Sequence, residues 1–404
     1  MGRNTRNRTN MENMVQNGGS AASFVDTKPH YELLDGLRGV AALLVIWYHV
    51  HEGFAFAGGG LITGINHGYL AVDFFFMLSG FVISYAYDDR WAKGMGLKDF
   101  FRRRLIRLHP MVLLGAVTGA VTFLIQGSVR WDGSHVGLSA VMLAILCAMF
   151  MIPAVPGCRY EVRGNGEMFP LDGPGWSLFF EYIGNIIYAL IIRRVGTRAL
   201  AVLTVILGMA YTGFAVADVS GYGSMGVGWT ADSVNLAGGL IRMMFPFTAG
   251  MLIARNFRPA KVRWAFVICS AVLAALFCVP YLGQTCTAGG VKLTLNGAFE
   301  AFCVVAVFPV LVWMGAAGSI GGNVSTKICR FLGDISFPLY ITHYPFMYLF
   351  YSWMISTGRH TLSETWPVAA VLCVWCVLFA WLSLKLYDVP VRNILSRKFR
   401  KKTS

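Results

Sequence analysis

Apolar residues run along this chain in long unbroken blocks, not in the alternation of a strand or the one-sided stripe of a surface helix. Eleven blocks are found at approximately 33 to 56, 68 to 87, 108 to 126, 138 to 155, 175 to 192, 199 to 217, 235 to 254, 264 to 282, 298 to 315, 331 to 352 and 365 to 387. A helix needs about 20 apolar residues to cross the hydrocarbon core, where every backbone polar group must be bonded within the segment. The alternating ten-residue segments of an outer-membrane barrel are absent. The pattern predicts an all-α integral membrane protein with one membrane domain over residues 31–392. A polar arm, 1–30, precedes it, and a basic tail, 393–404, follows it.

The loop charges assign sides. Arg3, Arg6 and Arg8 precede the first block, and Arg392, Arg397, Lys398, Arg400, Lys401 and Lys402 follow the last. Both ends therefore read as cytoplasmic, which requires an even number of crossings. If the fourth block does not cross, the loop 88–107, Arg193/Arg194/Arg198, Arg255/Arg258/Lys261/Arg263 and Lys327/Arg330 all fall on the cytoplasmic side. The expectation is ten transmembrane helices plus a re-entrant or interfacial segment at 138–155, in a cell inner or plasma membrane. The arm 1–30 has no apolar core of its own, so it reads as disordered and cytoplasmic, not as a signal peptide.

Composition agrees. Hydrophobic residues make up 56% of the 404 and charged residues 13%, with a mean hydropathy of +0.58, against about 25% charged in a soluble domain. The net charge of +14 sits beside the apolar blocks, which makes it a topology signal and membrane-lipid contact, with no nucleic acid implied. Most of the nine cysteines lie inside apolar blocks, where a free thiol packs as a small hydrophobe. Cys158 and Cys286 alone fall in loops placed outside.

Ionisable groups inside apolar segments cost about 2.5–3.5 kcal/mol to insert, so each is a candidate functional residue. These are His49, Asp73, Glu181, Arg242, Glu300, Asp334, His343, Lys385 and Asp388. Lys385 and Asp388 fit helix-end residues that reach the headgroups. Arg38 opens the first block and His49 follows eleven residues later, roughly 16 Å deeper at 1.5 Å per residue. Glu52 lies one turn beyond His49, within reach to orient it. Arg104 and Arg107, one turn apart, suit a phosphate, although a stop-transfer cluster facing anionic lipid accounts for the charge equally well. Ser177 and Glu181 share a helix face, and His343 lies at a depth close to that of His49. Ser79 and Gly80 read first as helix packing.

The segments LDGLRGVAALLVIWYH, VDFFFMLSGFVIS, FFRRRLIRLHP, GPGWSLFFEY, RMMFPFTAGMLIA, FLGDISFPLYITHYP and YDVPVR together, in this order, resemble the acyltransferase 3 family of integral membrane O-acyltransferases. The family's arginine-then-histidine pattern falls on Arg38 and His49, its paired arginines on Arg104 and Arg107, and its tryptophan-serine-leucine motif on Trp176, Ser177 and Leu178 with Glu181 following. Its histidine-aromatic-proline falls on His343, Tyr344 and Pro345. Where members often carry a second glutamate, this chain has Tyr182. Some members add an esterase-like domain after an extra helix, which this sequence does not show.

The resemblance implies transfer of an acyl group, acetyl first, from acyl-CoA to a hydroxyl of an extracytoplasmic carbohydrate, glycolipid or related acceptor. It implies acetyl-CoA as co-substrate, no permanently bound cofactor and no metal. On this reading His49, Arg38, Glu181, Ser177, His343 and Asp73 are the candidate catalytic residues. Arg104, Arg107 and Arg38 hold the CoA phosphates, and Glu52, Arg242 and Asp334 complete a polar cavity. His49 serves as general base or is transiently acylated, and Arg242 stabilises the oxyanion or pairs with Glu181. A multi-span transporter or lipid flippase would also carry buried charges, but it is typically built from paired halves, and no such symmetry is seen. A sensor that binds acyl-CoA without turnover would keep Arg104 and Arg107 and would not need His49.

Overall fold

The computed structural model describes residues 31–258, 260, 262–288, 290–318 and 323–400. The arm 1–30 and residues 401–404 of the basic tail lie outside them. Thirteen helices are named here: α1 Glu32–Gly58, α2 Ala71–Ala92, α3 Leu97–Ile125, α4 Leu138–Met149, α5 Gly175–Leu190, α6 Thr197–Val216, α7 Ser233–Asn256, α8 Ala265–Phe277, α9 Leu295–Ala317, α10 Asn323–Thr342, α11 Tyr344–Thr357, α12 Leu362–Ser383 and α13 Val389–Arg400. A hairpin, β1 Gln284–Ala288 and β2 Val291–Thr294, joins α8 to α9. The fold is all-α and membrane-like. Among the described residues, eight helices are long and apolar enough to cross a membrane, where the sequence pattern suggested ten.

The physical reasons for the difference are local. The block expected to be re-entrant, 138–155, stands outside that count of ten and holds a helix of 12 residues, about 18 Å at 1.5 Å per residue and too short for a bilayer core. Helix α8, with 13 residues, is short in the same way. The block at 331–352 is interrupted: α10 ends at Thr342, His343 is its boundary and Pro345 stands in the first turn of α11. Proline has no N–H to donate back, so the ladder breaks there. Cys158 is a free thiol.

Two helix pairs build the centre, α2 with α7 and α1 with α10. A Cβ at Gly80 would collide with the backbone of Phe247, and one at Gly39 with the backbone of Leu332. Missing side chains let these helices approach backbone to backbone, as membrane helices do where little hydrophobic force drives them together.

Arg38, Arg104 and Arg107 mark one end of the bundle, the basic end. At the other, the loop 150–174 pairs with the loop 217–232, with Met168 N–H donating to the Trp229 carbonyl at 2.8 Å. This loop end is tied to α11 through Arg163, whose guanidinium carbon sits 3.4 Å from the Tyr348 ring centroid.

Candidate active site

His49 points off α1 into a cavity of about 290 Å³ below the loop end. Its Nδ1 lies 2.7 Å from Glu52 Oε2, one turn along the same helix. A carboxylate only accepts, so Nδ1 carries the proton, which in the neutral imidazole leaves the lone pair on Nε2. The carboxylate is held in turn: Tyr344 and Tyr351 hydroxyls lie 3.2 and 3.1 Å from Oε2, and the Tyr351 hydroxyl is 2.6 Å from the His49 carbonyl. An imidazole with a fixed tautomer, backed by a carboxylate and open on Nε2, is equipped to take a proton from a hydroxyl.

His343 packs beside His49 with ring centroids 5.2 Å apart. Its Nδ1 donates to the Leu339 carbonyl at 3.0 Å, and its Nε2 is buried without a partner among the described residues. The expectation of similar depth for the two histidines is met. The cavity walls are strongly aromatic, with Trp131, Trp176, Trp229, Tyr69 and Tyr348 among them.

A second pocket of about 140 Å³ lies toward the basic end and shares Val72 and Tyr340 with the first. Arg38, Arg104 and Arg107 line it together with Ser177, Ser79 and Glu181. Arg38 donates to Ser336 Oγ at 2.7 Å and pairs with Asp35 at 2.9 Å. Glu181 pairs with Arg104 at 2.7 Å and accepts from Ser79 at 2.8 Å, so Ser79 has a polar role and Gly80 the packing role. Arg104 Nε is buried without a partner among the described residues. Ser177 Oγ donates to the Pro174 carbonyl at 3.0 Å and lies 2.7 Å from the Tyr340 hydroxyl.

Asp73 and Arg242 are placed differently from the expectation. Arg242 pairs with Asp73 at 2.6 Å, not with Glu181, and both side chains are buried. The guanidinium also donates to the carbonyls of Val227 at 2.7 Å and Tyr69 at 2.9 Å, and Tyr211 donates to Asp73 at 3.2 Å. Four of its five N–H groups are thus engaged by described residues. Arg242 reaches the cavity wall, whereas Asp73 stands behind it. Asp334 is a correction: it is exposed on α10 and lines neither pocket.

Glu167 and Asn165 were not singled out from the sequence, because they sit in the loop 150–174 and meet the cavity only through tertiary pairing. Tyr348 donates to Glu167 Oε2, and Asn165 Nδ2 donates to Oε1 at 2.9 Å. Burial pushes the Glu167 carboxyl up to about 7, against the lowering effect of the Tyr348 hydrogen bond and Arg163. Asp172, in the same loop, is likewise raised well above its ordinary range by burial. The clustering of Asn165, Glu167 and Asp172 between two apolar blocks was the available signal. Among the described residues no group of His, Cys, Asp or Glu is arranged to hold a metal ion.

Residues 31–385 match the acyltransferase 3 family model, described as an acyltransferase domain. A Streptomyces mycarofaciens protein named "Acyltransferase MdmB" is 24% identical over 358 residues, 83% of this chain and 84% of that one. A Bacillus subtilis (strain 168) protein named "Putative peptidoglycan O-acetyltransferase YrhL" is 24% identical over 91% of this chain, which spans 56% of that relative. A Rhizobium radiobacter protein named "Protein 2 in picA locus" is 34% identical over 182 residues, 43% of this chain and 87% of that one. No solved structure matches the chain significantly.

Proposed function

The chain belongs to the acyltransferase 3 family and is a multi-pass membrane O-acyltransferase, and on that premise we propose that it moves an acyl group, acetyl first, from acyl-CoA to a hydroxyl of a carbohydrate or glycolipid acceptor. Acyl-CoA enters at the basic end, the cytoplasmic side by the charge rule, and the acceptor at the loop end. The observation that carries this reading is the junction of the two pockets at Tyr340 and Val72. It sets an arginine-lined pocket and a histidine–carboxylate pair on one line through the bundle, roughly 16 Å apart along α1.

Arg104, Arg107 and Arg38 bind donor phosphates, and the thioester lies past Tyr340 near His49. His49 Nε2 takes the acceptor hydroxyl proton as the oxygen attacks the thioester carbonyl. The tetrahedral intermediate collapses with loss of the CoA thiolate, which receives that proton, leaving an ester and free CoA thiol. Glu52 stabilises the imidazolium formed on the way. Ser177 positions Tyr340, His343 packs His49 in place, and the Asp73–Arg242 pair braces the cavity wall. The aromatic side chains around the cavity offer stacking faces for a sugar ring.

The test is thiol release by the protein in lipid nanodiscs. Free CoA should accumulate when acetyl-CoA and a surface glycan extract are both present, and hardly at all with either alone. No acceptor-dependent release with any glycan would contradict the reading.

A further inference from the structure

At the basic end an open groove of about 510 Å³ lies outside the arginine pocket, lined by Arg90, Arg103, Arg107, Arg392, Asn393 and Ser396 among others. Arg107 lines both the groove and the inner pocket, so the two adjoin at this residue. The cations come from three elements that the fold holds together: α2 brings Arg90, α3 brings Arg103 and Arg107, and α13 brings Arg392. Helix α13 is fixed on α3 by Arg102, whose guanidinium carbon sits 4.7 Å from the Phe399 ring centroid.

Protein carboxylates neutralise this groove only in part. Arg392 pairs with Asp388 at 2.8 Å, and its Nε is buried without a partner among the described residues. Neither Arg103 nor Arg107 forms an ion pair among the described residues, whereas Arg38, Arg102, Arg104, Arg255, Arg330 and Arg392 do, and Arg90 is engaged as well. Like charges gathered this closely repel one another, and an anion spanning them relieves the repulsion. The seat is separate from the inner pocket, so a ligand using both must carry two separated anionic groups. The Ser396 hydroxyl in the lining adds a further donor for such an anion.

Resting on the acyl-CoA reading, we propose that this groove binds the 3′-phosphate of the donor, with Arg392 and Arg103 as its ligands, Asp388 orienting Arg392, and Arg107 at the junction facing the diphosphate. The YDVPVR segment then serves donor binding, because it carries the carboxylate and the guanidinium one helical turn apart.

The test compares acetyl-CoA with acetyl-dephospho-CoA, which lacks only that phosphate, in phosphatidylcholine nanodiscs. The wild type should favour acetyl-CoA in kcat/KM by roughly ten- to a hundredfold, the worth of hydrogen bonds to a charged group. In Arg392→Gln and Arg103→Gln the ratio should fall toward one, because the KM for acetyl-CoA rises much more than that for the dephospho donor. Arg392→Lys should restore part of the ratio. A wild type indifferent to the phosphate, or folded variants that keep the full preference, would overturn the proposal. So would a loss of preference seen only when anionic lipid is added, which would assign the groove to lipid headgroups. If the wild type turns over neither donor, the acyl-CoA reading itself falls; acetyl-CoA turnover with an unmoved ratio defeats this inference alone.

Discussion

Glu52 Oε2 stands 2.7 Å from His49 Nδ1 on the same helix, and this contact decides which imidazole nitrogen faces the cavity. Glu52→Gln keeps the shape but offers an amide that can donate to Nδ1, which favours the wrong tautomer. We expect kcat to fall by about 10²- to 10⁴-fold, the range of a general base's contribution, with little change in the donor KM. Steady-state kinetics on protein matched for membrane level measures this.

Removing the inner-pocket cations should separate binding from chemistry. For Arg107→Ala the KM for acetyl-CoA should rise roughly ten- to a hundredfold, as for a lost hydrogen bond to a charged group, while kcat changes much less. Arg104→Ala should do the same and also lose stability, because Glu181 is then left without its ion-pair partner. Calorimetric titration with CoA and thermal unfolding in detergent distinguish the two variants.

The Asp73–Arg242 pair predicts a loss of folded protein before any loss of chemistry. Breaking a buried pair from one side costs about 3–5 kcal/mol, because the remaining charge stays buried. Asp73→Asn should therefore lower the unfolding temperature and the membrane level sharply. A normally abundant, normally stable Asp73→Asn with low activity would instead move Asp73 into the chemistry.

Glu167 predicts a pH effect on stability. Its carboxyl is raised from 4.5 to about 7 in the fold, so between those values the folded chain binds more protons than the unfolded one and stability falls as pH rises. The displacement is worth at most about 3 kcal/mol, complete below 4.5 and lost as pH passes 7. Unfolding temperatures from pH 5 to 8 should decline more steeply for the wild type than for Glu167→Gln. Parallel curves would contradict this.

What could be read from the sequence follows from distance along the chain. Arg38, His49 and Glu52 lie on one helix, whose rise and turn fix their relations, and the structure keeps them. Arg104 with Arg107 and Ser177 with Glu181 were legible for the same reason, and both pairs line one pocket. Helix rotation was not legible: Ser336 and Tyr340 turn inward, and Asp334, two residues before Ser336 and so about 200° around the axis, turns out. Nor was long-range pairing, such as Arg242 finding Asp73 across 169 positions or Glu167 meeting Tyr348. The number of crossings was not fixed by apolar length alone, because the shortness of α8 and the break at His343 in the block 331–352 depend on where the chain turns.

The measurement that bears most directly on the central claim is transfer of labelled acetyl from acetyl-CoA into surface glycan, in membranes carrying equal amounts of wild type or His49→Ala. Label entering the glycan with the wild type and not with His49→Ala is the predicted result. Equal transfer by both would remove His49 from the chemistry, and no transfer by either, with any acceptor, would contradict acyl-CoA-dependent O-acylation by this chain.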